Sequence, residues 1–101
     1  MKLMILTDIE GVTGVTTYDQ AEGTVFGQNM LMNDLNALIS GLFSQGSHEI
    51  VIYDEHTDGR NVVLDNLPEQ VSVVCGKPLV GENWRGIDNS YDGLIMLGFH
   101  A

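Results

Sequence analysis

Acidic and histidine side chains recur just after the apolar runs of this sequence. The residues placed in this way are Asp8, Glu10, Asp54, His56 and His100. An ionised acid beside a buried strand needs a cation, hydrogen bonds or water, because an unpaired buried charge costs several kcal/mol. Carboxylate oxygens combined with imidazole nitrogens suit zinc, manganese or iron better than calcium, which prefers oxygen alone. The chemistry that these residue types indicate is therefore transition-metal binding.

Short apolar runs predict the strands that would position these side chains. The runs lie at Lys2–Thr7, Glu49–Asp54, Val71–Val74 and 94–97, and their lack of alternation suits strands covered on both faces. A strand, helix, strand order implies a parallel crossover. Because ligands bind at the carboxyl ends of parallel strands, all five side chains should share one edge of the sheet. Asp8 is well placed there to bridge two metal ions about 3.5–4 Å apart.

Helical spacing predicts one long helix between the first two strands. Its apolar positions are Leu31, Leu35, Leu38, Ile39 and Leu42, and it should end near Gln45 and Gly46. The mixed, polar segment 15–29 predicts mostly loop, which could act as a lid beside the acidic turn. One or two helical turns are expected within 61–67 before Pro68, and a short helix within 81–92 is a weaker expectation.

Together these elements predict an α/β fold of the three-layer type, with a mostly parallel sheet and flanking helices. Residues 1–101 would form a single domain, since 101 residues fit the size of one domain at most. The sequence stops straight after the last predicted strand, with nothing to cover the sheet. We therefore expect an incomplete domain, the N-terminal part of a longer protein.

The charge balance limits the classes of partner that the protein is expected to bind. Four lysines and arginines stand against 14 acids, a formal charge of -10, which argues against nucleic acid and anionic membranes. The sequence has no apolar stretch near 18 residues and no signal peptide, and its one cysteine cannot form an internal disulfide. We expect a soluble, cytoplasmic protein whose ligands include cations.

Each residue also has an ordinary explanation when taken singly. Asp8 and Glu10 could be turn formers or caps. Asp54 could support a metal ligand by hydrogen-bonding to it without touching the metal, or could be a turn acid. His56 and His100 could be surface or hydrogen-bonded core histidines.

Three blocks of the sequence resemble the M55 family of D-aminopeptidases. The blocks are Asp8-Ile9-Glu10-Gly11-Val12-Thr13-Gly14, Asp54-Glu55-His56 and Gly98-Phe99-His100-Ala101. The resemblance covers the whole chain, in the family's order and at comparable spacing. It implies a dinuclear zinc aminopeptidase that acts on short peptides with D-amino acid N-termini and assembles as a ring-shaped homodecamer.

The resemblance also assigns roles to residues of this chain. It implies that Asp8 is a metal ligand and the bridge, with Glu10, His56 and His100 as the other ligands. The family's further glutamate ligand and its catalytic histidine would lie beyond Ala101, so no catalytic residue is expected within this stretch.

Other functions remain open. The block 8–12 is similar to the first motif of haloacid-dehalogenase-like phosphatases, where Asp8 would be the nucleophile and magnesium would neutralise the phosphate; that alternative leaves His56 and His100 unexplained. In a receiver-like signalling module, Asp54 would be phosphorylated. A metal-free homologue that only scaffolds or binds peptides is a further alternative.

Overall fold

The computed structural model of the chain describes residues 1–46, 48–78 and 84–100. Within these residues, parallel strands form a four-stranded sheet, with two helices and two short 3-10 turns around it. In chain order the elements are β1 (Lys2–Thr7), α1 (Tyr18–Ala21), α2 (Val25–Ser44), β2 (Glu49–Asp54), a 3-10 turn (Leu64–Asn66), β3 (Val71–Val74), a 3-10 turn (Trp84–Gly86) and β4 (Gly93–Leu97).

The strand order of the sheet is β3-β2-β1-β4. Thr7 at the end of β1 pairs with Asp54 of β2 and with Leu97 of β4, so these three strands end at the same level. The chain builds outward from β1 in one direction through β2 and β3, and β4 is then added on the opposite side of β1. Such a reversal of strand order leaves a crevice at the carboxyl ends of the strands, which is where open α/β sheets bind ligands.

Helix α2 covers one face of the sheet. Its buried side chains include Leu35 and Ile39, which pack in one cluster with Ile5, Ile50 and Ile52 of the strands. Thr24 caps the helix by accepting a hydrogen bond from the Gly27 amide at 2.9 Å. Because each fully buried aliphatic side chain contributes about 1.5–3 kcal/mol, this contact is a main source of stability.

The other face of the sheet carries a smaller cluster. Met4, Leu6 and Tyr53 are buried there against Ile87 and Tyr91, which follow the second 3-10 turn. At the β4 edge of the same face the apolar side chains stay in contact with solvent. These are Leu94, 39% exposed, and Met96, 57% exposed.

The predicted parallel α/β architecture is confirmed, and β1, β2 and β3 have the predicted bounds. The loop prediction for 15–29 was wrong over much of its length, because Val25 already begins α2 and α1 occupies Tyr18–Ala21. The helical turn expected within 61–67 is a single 3-10 turn. Within the expected 81–92 helix, a 3-10 turn spans Trp84–Gly86, and 81–83 lie outside the described residues. No helix in the described part of the chain is long and apolar enough to span a membrane.

Candidate metal centre

The crevice beside β1 brings four of the predicted residues together. Asp8 and Glu10 follow β1, His56 follows β2, and His100 follows β4. The Asp8 carboxylate contacts both rings, with Oδ1 2.7 Å from His56 Nδ1 and Oδ2 3.9 Å from His100 Nε2. Three chain segments distant in sequence therefore converge on one carboxylate.

His56 is buried, and its ring orientation is fixed from both sides. Nε2 lies 2.9 Å from the carbonyl oxygen of Ala21, and because a carbonyl only accepts hydrogen bonds, Nε2 must carry a hydrogen and donate it. Nδ1 faces Asp8 and also lies 3.2 Å from Glu10 Oε2. In the neutral ring this leaves the Nδ1 lone pair directed at two carboxylates, a contact that a proton or a metal ion must bridge.

Glu10 supplies the clearest sign that a cation fits here. Its Oε2 atom is inaccessible to solvent and has no hydrogen-bond partner among the described residues. The same atom lies 3.9 Å from Nε2 of His100, whose side chain is 44% exposed. Ligand atoms of Asp8, Glu10 and His100 lie within 4.8 Å of one another, as do those of Glu10, Glu22 and His56. Two carboxylates and two imidazoles around such a gap match the donor set that zinc takes.

The carboxyl groups of Asp8 and Glu10 also shift each other's pKa. Burial, followed by the hydrogen bond with Glu10, raises the pKa of Asp8 above its ordinary value. Burial alone would also raise the pKa of Glu10, but the hydrogen bond with Asp8, a backbone hydrogen bond and the two histidines together lower it. The closeness of the two carboxyl groups thus shifts their pKa values in opposite directions.

Two glycines allow the turns after β1 and β4 to lie against each other. The Gly11 amide donates to the Gly98 carbonyl at 2.7 Å, and a Cβ on Gly11 would collide with the Phe99 carbonyl oxygen. Gly98 has a φ of 76°, and a Cβ there would collide with the Asp8 carbonyl. Only glycine fits these positions, and their contact sets the distance between Asp8 and His100.

Asp54 supports the site through the backbone. It is fully buried, and its Oδ2 accepts hydrogen bonds from the amides of Asn61 at 2.6 Å and Val62 at 2.7 Å. Asn61 in turn donates from Nδ2 to the His56 carbonyl at 2.6 Å. The hydrogen bonds of Asp54 thus hold the 54–62 loop that carries His56, instead of reaching the His56 ring. A carboxylate so enclosed is poorly placed to receive a phosphoryl group, which disfavours the receiver alternative.

The sequence did not point to Glu22 or to the residues around α1. Oε1 of Glu22 lies 3.8 Å from His56 Nε2. A cavity of about 260 Å³ adjoins the centre; it is lined by Glu10, Val15, Thr16, Thr17, Tyr18 and His100. The sequence feature that could have revealed α1 is the spacing of Thr17 and Gln20, which form a capping box at the helix start.

Fold and site together define an α/β protein with a crevice at the switch point of a parallel sheet, where acidic and histidine side chains could hold a metal ion. The family model Peptidase_M55, described as D-aminopeptidase, matches residues 1–101, and the chain belongs to this family. A D-aminopeptidase of Bacillus subtilis (strain 168) is 26% identical over 105 residues, which cover 100% of this chain and 38% of that protein. The solved structure of the Zn-dependent D-aminopeptidase DppA from Bacillus subtilis, a self-compartmentalizing protease, matches with a TM-score of 0.86 at 25% identity, again over 100% of this chain and 38% of that one. The chain thus spans 38% of the length of these relatives.

Proposed function

We propose that the protein is a zinc-dependent aminopeptidase that hydrolyses short peptides, with D-amino acids preferred at the N-terminus. The observation that carries the proposal is the convergence of Asp8, Glu10, His56 and His100 at the carboxyl ends of three strands. Family membership and the named zinc dependence of the structural relative support it.

The metal ligands in this proposal are the four convergent residues, and two zinc ions share the site. Asp8 is the bridge, because its Oδ1 faces His56 while its Oδ2 faces His100. Glu10 Oε2 lies near both rings and completes either half of the site. Asp54 and Asn61 hold the backbone of His56 and so position it as a ligand.

Bound zinc would polarise the scissile carbonyl and provide a nucleophilic water near neutral pH. The chain's own residues hold the metal at the crevice and keep an acidic rim there, which suits a substrate with a free amine. A further glutamate ligand and a catalytic histidine would come from outside residues 1–101. We also propose assembly into a ring-shaped homodecamer, in line with the self-compartmentalizing relative.

The metal centre is tested by zinc content after equilibrium dialysis of the chain and its variants. We expect Asp8→Ala and His100→Ala to weaken zinc binding at least about tenfold, since changing a residue that only hydrogen-bonds to a metal ligand already costs about 10–100-fold. His48→Ala is the matched control, because His48 precedes β2 at the opposite end of the sheet. A wild-type chain that retains no transition metal, or two variants that bind as the control does, would contradict the proposal.

Stereochemical preference is tested on the zinc-loaded chain with D-alanine hydroxamate and L-alanine hydroxamate. These probes carry a metal-binding group and one N-terminal residue. We expect tighter binding of the D form, and equal affinities would refute the D preference without affecting the metal assignment.

A further inference from the structure

The single turn of helix α1 lies against both histidines of the metal centre. Tyr18 and Glu22 are four residues apart, and the Glu22 amide donates to the Tyr18 carbonyl at 3.1 Å, so their side chains lie on the same side of the turn. The Tyr18 ring meets the His100 ring edge-on with centroids 6.2 Å apart. Glu22 Oε1 lies 3.8 Å from Nε2 of His56.

This turn is held firmly in place. Its capping box joins Thr17 and Gln20, and Gln20 Oε1 also accepts the Thr16 amide at 2.7 Å. Ala21 is fully buried, and its carbonyl accepts the hydrogen bond from His56. Helix α2 packs directly on the turn, because a Cβ on Gly27 would collide with the Gln20 carbonyl. The turn is therefore a preformed wall of the crevice, unlike the lid that the sequence suggested.

The cavity beside this wall has the chemistry to receive one amino acid residue. Its volume of about 260 Å³ lies just below the usual range for ligand pockets, about 300–1,000 Å³, and suits a small group. Thr16, Thr17 and Tyr18 give it an uncharged side. Glu10 gives the cavity an acidic side. Glu22 lies next to the cavity, with a side-chain oxygen within 4.8 Å of one of Glu10. The Glu22 side chain is 55% exposed, so a ligand can reach it.

We propose that the α1 turn is the subsite for the N-terminal residue of the substrate. Glu22 binds the free α-ammonium group, and the wall from Thr16 to Tyr18 contacts the side chain of that residue. This inference rests on the proposed aminopeptidase function, and it explains how a free N-terminus is distinguished from a blocked one. The ammonium prefers Glu22 because the other acids of the crevice, Asp8 and Glu10, are committed to the metal.

The test compares two probes on the zinc-loaded chain, D-alanine hydroxamate and its N-acetyl derivative. Both chelate zinc, but only the first carries an ammonium. We expect the wild type to favour the free amine by about tenfold, a ratio typical of one charge-assisted contact. Glu22→Gln should abolish this preference while zinc content stays unchanged. Asp19→Asn is the matched control, since Asp19 is an exposed acid of the same turn, and it should keep the preference.

The proposed contact between the wall from Thr16 to Tyr18 and the substrate side chain is tested with D-phenylalanine hydroxamate. Tyr18→Ala should weaken this probe about fivefold relative to D-alanine hydroxamate, because an aromatic contact is lost. A preference for the free amine that survives Glu22→Gln overturns the ammonium role while the metal centre stands. Zinc loss in Glu22→Gln overturns it as well, because Glu22 would then be a metal ligand. A wild-type chain without zinc refutes the proposed function itself and the inference with it.

Discussion

Replacing the buried carboxylate of Asp54 by its amide, Asp54→Asn, should destabilise the fold and loosen His56. Asp54 accepts amide hydrogen bonds from Asn61 and Val62 at Oδ2, and its Oδ1 accepts Asn61 Nδ2 at 3.0 Å. An asparagine oxygen can still accept the two backbone amides, but its NH₂ group then faces the NH₂ of Asn61. One hydrogen bond to a charged acceptor, worth about 1.5–3 kcal/mol, is lost, and the other two become weaker.

The expected loss of stability is about 3 kcal/mol, which for a domain of this size lowers Tm by about 12–24 °C. Urea unfolding followed by far-ultraviolet circular dichroism measures it, with an unchanged slope against denaturant showing that stability alone has changed. Zinc affinity should fall about 10–100-fold, because Asn61 no longer holds the His56 carbonyl.

Asp65→Asn makes the same chemical change at an exposed acid of the Leu64–Asn66 turn, and it should shift stability by less than about 0.5 kcal/mol. If Asp54→Asn costs no more than this control, the carboxylate does not hold the 54–62 loop and the argument fails.

Other substitutions test the close approaches and charges of the fold. Gly11→Ala should destabilise the chain by at least about 2 kcal/mol and lower zinc binding. Gly41→Ala, in an open helical position, should instead stabilise the chain by about 0.5–1 kcal/mol. Equal effects of the two substitutions on stability would refute the close contact between the turns. Glu10→Gln should abolish thermal stabilisation by added zinc, because it removes the carboxylate of a proposed metal ligand. The hydroxyl and amide of Ser90 lower the pKa of Asp88, so the stabilising contribution of this carboxylate is present above its unfolded-state pKa and is lost as pH falls through the lower folded-state pKa. An NMR titration should show a higher Asp88 pKa in Ser90→Ala, and an unchanged value would contradict the assigned cause.

The strands and the shared edge could be predicted because their signals are local. An uninterrupted apolar run such as 3–6 marks a buried strand, and a parallel sheet then fixes where the following residues lie. That rule alone placed Asp8, Glu10, His56 and His100 together, as the structure does.

The parts that could not be predicted depend on tertiary contacts between short polar segments. Helix α1 has only four residues, and it is stabilised by the Thr17 and Gln20 cap and by packing on α2 rather than by an apolar period. Without α1, nothing in the sequence placed Glu22 beside His56. The hydrogen bonds that Asn61 donates to Asp54 join a loop to a strand end, and no periodicity encodes such a pairing.

The acids of the crevice are buried at positions where desolvation disfavours their charged forms in the metal-free chain. Burial raises the pKa of Asp8, so the fold disfavours its charged form when no cation is bound. Glu10 Oε2 is buried without a hydrogen-bond partner among the described residues. A structural role would be served better by uncharged side chains that fill the same space. The rest of the local structure nevertheless positions this costly pair: Gly11 and Gly98 bring the two turns into contact, and the Ala21 carbonyl orients His56. The proposed metal centre accounts for this arrangement, because a bound cation would offset the free-energy cost of burying these carboxylates.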